Sequence, residues 1–247
     1  MSPAPLVLTR PAAQADEWAA ALRAAGLNVQ CFPLLSTTAD AAVCAQAWSL
    51  WAQTDAAFFS SPAAVHALGD GPWASLPCAA CVGPGTAAAL RRAGARHLIT
   101  PPPEAGQFDS EQLWPLIEEA GPWQGRHWLW LRGDGGRDWL LERLREADAR
   151  LTPLSVYRRA PALLDPDALQ RLLAGPALWL LSSSEALDHL LASAPPGTDW
   201  TRVQALATHP RIEQRAGRAG LRVRSVRPLL PEVAEAWRHW VRISSHD

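Results

Sequence analysis

The sequence predicts an α/β protein of two similar doubly wound parallel-sheet lobes, duplicated half-units joined by a two-stranded linker with the active-site cleft between them. Three observations carry this prediction. A β-α rhythm runs the length of the chain, its segments recur at constant spacing, and two extended proline-bearing stretches interrupt it. At 247 residues, 48% of them hydrophobic, the chain can bury two ordinary cores.

The rhythm is a short apolar run, a polar or glycine turn, then a stretch with apolar residues three and four apart. Leu6-Val7-Leu8 is followed by Thr9-Arg10-Pro11 and a helical stretch to Gly26 in which Trp18, Ala21, Leu22 and Ala25 share one face. Ser61 and Ser183 stand where helices should start, and Gly26, Gly94 and Gly220 where they should end. Successive β-α units of this kind give parallel strands whose right-handed crossovers cover both faces of a sheet.

The repeat is visible in two independent segments. Leu6-Val7-Leu8-Thr9-Arg10 recurs as Leu129-Trp130-Leu131-Arg132, which places Arg10 and Arg132 at an offset of 122. Phe58-Phe59-Ser60-Ser61-Pro62 recurs as Leu180-Leu181-Ser182-Ser183-Ser184 at that same offset. A third pair, Gly83-Pro84 to Gly94 and His209-Pro210 to Gly220, matches at 126, so four residues are inserted before the last block. Repeats at constant spacing mark one duplicated unit.

The interruptions are Cys31-Phe32-Pro33-Leu34-Leu35-Ser36-Thr37 and Leu151 to Arg159, which read as paired linker strands. On that reading the first lobe is discontinuous, residues 1–34 and 162–247, and the second spans residues 37–158. Two connecting strands form a hinge, a geometry suited to a closing cleft.

Composition narrows the chemistry. The 23 basic and 24 acidic residues leave a net charge of −1, so the protein as a whole does not attract nucleic acid, and any anion site must be local. Every basic residue is arginine; without lysine there is no Schiff base, while arginine's fixed fork suits carboxylates. The 13 tryptophans sit at helical or strand spacing and are read as core. Cys78 and Cys81 fall in a short apolar strand on opposite faces, so the pair is structural rather than redox-active or zinc-binding. The seven histidines lack ligand spacing, and there is no Walker lysine, G-x-S-x-G or G-x-G-x-x-G. No apolar run approaches the roughly 18 residues of a membrane span, and the expected location is the cytoplasm.

Ligands of open α/β sheets bind beyond the carboxyl ends of the strands. The candidate turns there carry Arg10; Ser60 and Ser61; Gly83 and Thr86; Arg132, Gly133 and Gly136; Ser182 and Ser183, in the turn Ser182-Ser183-Ser184; and Thr208, Pro210 and Arg211. Hydroxyls, glycine backbones and arginines supply donors for several anionic groups at once. His209 is the one histidine in such a turn.

In order and spacing, Thr9-Arg10-Pro11, Phe59 to Val65, Val82-Gly83-Pro84-Gly85-Thr86-Ala87, Arg132 to Arg137, Val156-Tyr157-Arg158-Arg159 and Thr208-His209-Pro210-Arg211 resemble the uroporphyrinogen-III synthases over essentially the whole chain. The resemblance implies two α/β lobes joined by a two-stranded ladder. It also implies a cofactor-free, metal-free lyase that cyclises hydroxymethylbilane to uroporphyrinogen III with ring D inverted, through an azafulvene cation and a spiro-pyrrolenine. It implies Tyr157 as the candidate acid for the leaving hydroxyl, the alternative being a hydroxyl that anchors the hinge, and Thr86 and Thr208 among the residues that bind the eight-carboxylate substrate or orient it. His209 departs from the family's more usual serine. The expected partners are the small-molecule substrate and a transient hand-over from the preceding pathway enzyme, with no nucleic acid or membrane and a monomeric state. A second reading keeps the same fold as a non-catalytic anion-binding or regulatory protein.

Overall fold

The structure, a computed structural model, describes residues 3–102, 104–105, 108–134 and 139–244. The chain forms two compact units, one from residues 1–36 and 160–247 (unit 1) and one from residues 37–159 (unit 2).

Unit 1 begins with β1 (Leu6–Leu8), α1 (Ala12–Ala24) and β2 (Val29–Cys31). Strand β3 (Leu35–Ala39) carries the chain into unit 2, which continues as α2 (Ala41–Leu50), β4 (Ala56–Phe59), α3 (Pro62–Leu68), β5 (Ala79–Cys81), α4 (Pro84–Ala93) and β6 (Leu98–Ile99). There follow α5 (Ser110–Ala120), β7 (His127–Gly133), α6 (Trp139–Glu146) and β8 (Arg150–Pro161), whose last residues re-enter unit 1. Unit 1 is then completed by α7 (Pro166–Ala174), β9 (Leu178–Leu181), α8 (Ser184–Ser193), β10 (Gln204–Ala207), α9 (Pro210–Arg218), β11 (Arg222–Ser225) and α10 (Leu230–Ser244). The two extended stretches that break the sequence rhythm meet as the neighbouring strands β3 and β8.

The sheet of unit 1 has the order β11-β10-β9-β1-β2, and that of unit 2 the order β3-β8-β7-β4-β5-β6. All four pairings within unit 1 are parallel, as are those from β8 through β6 in unit 2. The central strands of each sheet are buried on both faces, which is why they read as continuous apolar runs, whereas the edge strands β3 and β11 are largely exposed. In unit 1, Val7, Trp179, Leu181 and Ala205 pack on one side, and Leu6, Leu8, Leu180 and Leu206 on the other. In unit 2, Phe59, Leu129 and Leu131 face one core and Phe58, Trp128 and Trp130 the opposite one.

Local chemistry sets the helix ends. Ser61 and Ser183 cap α3 and α8 by accepting the N–H of Ala64 and Ala186, and Gly94 ends α4 in the left-handed conformation, φ 102°. The four cysteines are free thiols. Cys81 packs into one core of unit 2 and Cys78 against the other, as alternation along β5 requires. Burial pushes both thiols up to about 11, far from the thiolate that redox chemistry or metal ligation needs.

Candidate active site

Within each sheet the chain runs outward in both directions from a central pair of strands. That pair is β1 and β9 in unit 1 and β7 and β4 in unit 2, and the loops leaving such a pair at its carboxyl end diverge to opposite faces and open a crevice. The donor-rich turns of the sequence lie at this end of each sheet.

In unit 2, Ser60 and Ser61 follow β4, Gly83 and Thr86 follow β5, and Arg132 and Gly133 close β7. Tyr157 belongs to β8 and pairs with Gly133 after a register shift that leaves Val156 as an extra residue, a bulge that re-aims the following side chain. The ring of Tyr157 lies directly over Gly133. A methyl group on that glycine would stand 2.6 Å from Cζ and 2.9 Å from the hydroxyl oxygen. The phenol is also fixed at its tip, where its oxygen lies 2.9 Å from Ser61 Oγ. Ser61 Oγ already accepts the Ala64 N–H, so its own proton is available for the phenol oxygen. Tyr157 is only 4% exposed, so its phenol is largely shielded from bulk water, while Ser61 is partly exposed.

Gly83 starts α4 without a side-chain cap, and Thr86 is buried in its first turn. Arg132 is half-buried and has an interaction partner within the protein. Gly136, part of the expected anion turn, lies outside the described residues.

In unit 1, Thr9 is buried and donates its hydroxyl to Leu180 O at 2.6 Å, tying the turn after β1 to strand β9. Arg10 lays its guanidinium on the Trp18 ring, with Cζ 4.1 Å from the centroid. Its Nε is buried without a hydrogen-bond partner, and burial alone lowers the guanidinium to about 10. Ser182 and Ser183 follow β9, and Thr208, Pro210 and Arg211 follow β10. His209 is the N-cap of α9, its Nδ1 accepting the Arg211 N–H at 3.0 Å, so the imidazole does here what a serine would.

Two features at this end of unit 1 escaped the sequence reading, although Ser184 itself belongs to the candidate turn Ser182-Ser183-Ser184. Ser184 has a buried hydroxyl with no partner, and Trp18, taken for a core residue, is also the platform under Arg10. Among the described residues no three His, Cys, Asp or Glu side chains gather as metal ligands, and no helix is long and apolar enough to cross a membrane.

The sequence profile of uroporphyrinogen-III synthase HemD matches residues 16–228. The chain belongs to the uroporphyrinogen-III synthase family. Its activity is the family's cyclisation of hydroxymethylbilane to uroporphyrinogen III with inversion of ring D, in tetrapyrrole biosynthesis. Among solved structures, the fold resembles a mutant uroporphyrinogen III synthase of the extremely thermophilic bacterium Thermus thermophilus at 20% identity and TM-score 0.57, over 99% of this chain and 100% of that one. It also resembles the uroporphyrinogen-III synthetase of Helicobacter pylori at 15% identity and TM-score 0.57, over 96% and 97% of the two chains. Both are likenesses of fold. Among curated proteins no sequence matches significantly.

Proposed function

We propose that Tyr157 is the acid of the synthase reaction and that the donor-rich turns hold the substrate's carboxylates. The observation that carries this reading is the 2.9 Å contact between the Tyr157 and Ser61 hydroxyls at the central strand pair of unit 2, over a glycine that leaves the ring room. Tyr157 gives its proton to the terminal hydroxyl of hydroxymethylbilane, and the C–O bond breaks to release water and an azafulvene cation. The Ser61 hydroxyl donates to the phenol oxygen as that proton leaves. Attack on the substituted carbon of ring D gives the spiro-pyrrolenine. After fragmentation and closure, ring D loses one proton to the phenolate, which restores the acid. One proton is lent and returned, and water is the net loss.

The remaining work is restraint. Spontaneous closure gives the uninverted ring, so the site must hold the chain where the substituted carbon is the nearer nucleophile. The hydroxyls of Ser60, Ser182, Ser183 and Thr208, the turns at Gly83, Thr86, Gly133 and Pro210, and the guanidinium groups of Arg10, Arg132 and Arg211 are the carboxylate-binding set in this reading. It extends to a cytoplasmic monomer that receives its substrate by transient hand-over. The four free thiols suit a reducing compartment, and the large exposed hydrophobic residues, Leu163 and Ile243, stand far apart in sequence.

The test is to incubate the protein with enzymatically generated hydroxymethylbilane and resolve the oxidised products. Type III isomer is expected, and type I alone would overturn the synthase reading. In the same assay Tyr157→Phe is expected to lower kcat by roughly a hundredfold, the lower range for general acid catalysis. Unchanged turnover would remove Tyr157 as the acid.

A further inference from the structure

We propose that the central strand pair of unit 1 carries a carboxylate subsite in which Arg10 and Ser184 are the donors and Trp18 positions the guanidinium. This rests on the synthase reading, and it assigns one of the substrate's carboxylates to a place.

Three buried side-chain polar atoms among the described residues have no hydrogen-bond partner: Arg10 Nε, Ser184 Oγ and Trp128 Nε1. Leaving a buried donor unpaired is costly, so each case calls for a reason. The tryptophan lies within the apolar core of unit 2. The other two fall on adjacent turns. Arg10 follows β1 and Ser184 follows β9, strands that pair in register at Leu8 and Leu180 and are locked together by the Thr9 hydroxyl. This is the point in unit 1 where the chain's direction across the sheet reverses, the usual ligand position of such a sheet.

The missing partner must be an acceptor. A guanidinium offers donors only, and the Ser184 hydroxyl can supply one more. Among the described residues no carboxylate contributes to the state of Arg10, whose lowered value comes from desolvation. A desolvated cation without a counter-ion binds an anion more strongly than a solvated one does, because little water remains to be displaced. The face of Trp18 compensates part of that desolvation and holds the fork in one plane, which favours a planar, bidentate anion over a spherical one. A carboxylate has that shape, and the substrate carries eight.

The experiment measures KM, kcat and Tm on the intact protein. Arg10→Gln is expected to raise KM by roughly tenfold or more while kcat stays within about threefold. Arg10→Lys, which keeps the charge but loses the fork and the stack, should fall between Arg10→Gln and the parent. Ser184→Ala separates binding from structure. Its hydroxyl has no partner in the free protein, so Tm should hold while KM rises. Trp18→Leu should raise KM and Trp18→Phe, which restores an aromatic face, should recover most of the loss. Parent-like KM in both Arg10→Gln and Ser184→Ala overturns the subsite, as does a Ser184→Ala variant whose Tm falls with KM unmoved. If Arg10→Gln does not fold, Arg10→Lys and Ser184→Ala decide by the same criteria. Failure of the synthase reading looks different, because the parent protein would then yield no type III isomer.

Discussion

Gly133 offers the sharpest test of how Tyr157 is held. Its backbone lies in β7 without a positive φ, so alanine meets no conformational strain there, and the effect of Gly133→Ala is steric. The added methyl would lie 2.6 Å from Tyr157 Cζ, 2.7 Å from Cε2 and 2.9 Å from the hydroxyl oxygen, all inside van der Waals contact. The ring cannot simply swing away, because Tyr157 is 4% exposed and belongs to a core with Phe59, Leu131 and Val156. Overpacking of this kind costs about 1–3 kcal/mol, and loss of the Ser61 hydrogen bond adds about 0.5–1.5 kcal/mol. Together these amount to about 2–4 kcal/mol, a fall in Tm on the order of 10 °C for a unit of this size. With Tyr157 as the proposed acid, displacing it should also lower kcat by roughly a hundredfold. Calorimetry and the isomer assay read the two effects separately. On a Tyr157→Phe background the ring clash persists without the hydroxyl, so Gly133→Ala should still lower Tm but cost little further rate. A variant with unaltered Tm would refute the packing argument, and a lower Tm with unaltered kcat would leave Tyr157 as a core residue.

Ser61→Ala should lower both Tm and kcat, since the side chain caps α3 and holds the phenol; Asp165→Ala, which removes the cap of α7, should cost a similar ~1 kcal/mol of stability with kcat unchanged. Equal effects of the two on rate would detach Ser61 from the chemistry. Asp55 accepts the His127 N–H and then Arg126, contacts that hold its carboxyl below the ordinary 3.8. A depressed native value stabilises the fold above the unfolded value and loses that contribution as pH falls through the native one. Asp55→Asn should therefore lower Tm at neutral pH and flatten its fall below about pH 4; an unchanged acid limb would contradict the assignment. Gly71→Ala would push a methyl to 2.4 Å from the Trp48 ring, which packs against Trp51 and Trp73, and should lower Tm with a change in tryptophan fluorescence, whereas an unaltered spectrum would show that the cluster yields freely.

What could be read from sequence was whatever is local or periodic. The β-α rhythm was legible because the central strands of each sheet are buried on both faces, and the helix ends because Ser61, Ser183 and Gly94 act through their nearest backbone neighbours. His209 was visible as a departure, although its reason, a ring nitrogen replacing a hydroxyl at a cap, needed the geometry. The stacking of Arg10 on Trp18 and the unpaired hydroxyl of Ser184, a residue of a candidate turn, were not legible. A tryptophan at helical spacing reads the same whether or not a guanidinium lies on it, and an absent hydrogen bond has no signature in sequence. Gly133 was legible as a turn glycine but not as the floor under Tyr157, because the bulge that pairs them depends on the register of two strands far apart in the chain.

The duplication explains where the site parts fall and why they differ. At the 122-residue offset, β1 corresponds to β7 and β9 to β4, so the same strand reversal recurs in each unit with an arginine at the carboxyl end of one strand and a capping serine after the other. Arg132 has an interaction partner within the protein, whereas the Nε of its counterpart Arg10 is buried without one. Pro62 after the Ser61 cap carries no donor, whereas Ser184 after the Ser183 cap carries a spare one. Chemistry favours this asymmetry. The reaction creates a cation at the carbon that loses water, and an uncompensated guanidinium beside the acid would raise the energy of that cation by Coulomb repulsion. On the reading proposed above, the acid Tyr157 falls in the copy whose arginine has a partner within the protein, and the carboxylate subsite in the copy whose arginine has a buried Nε without one.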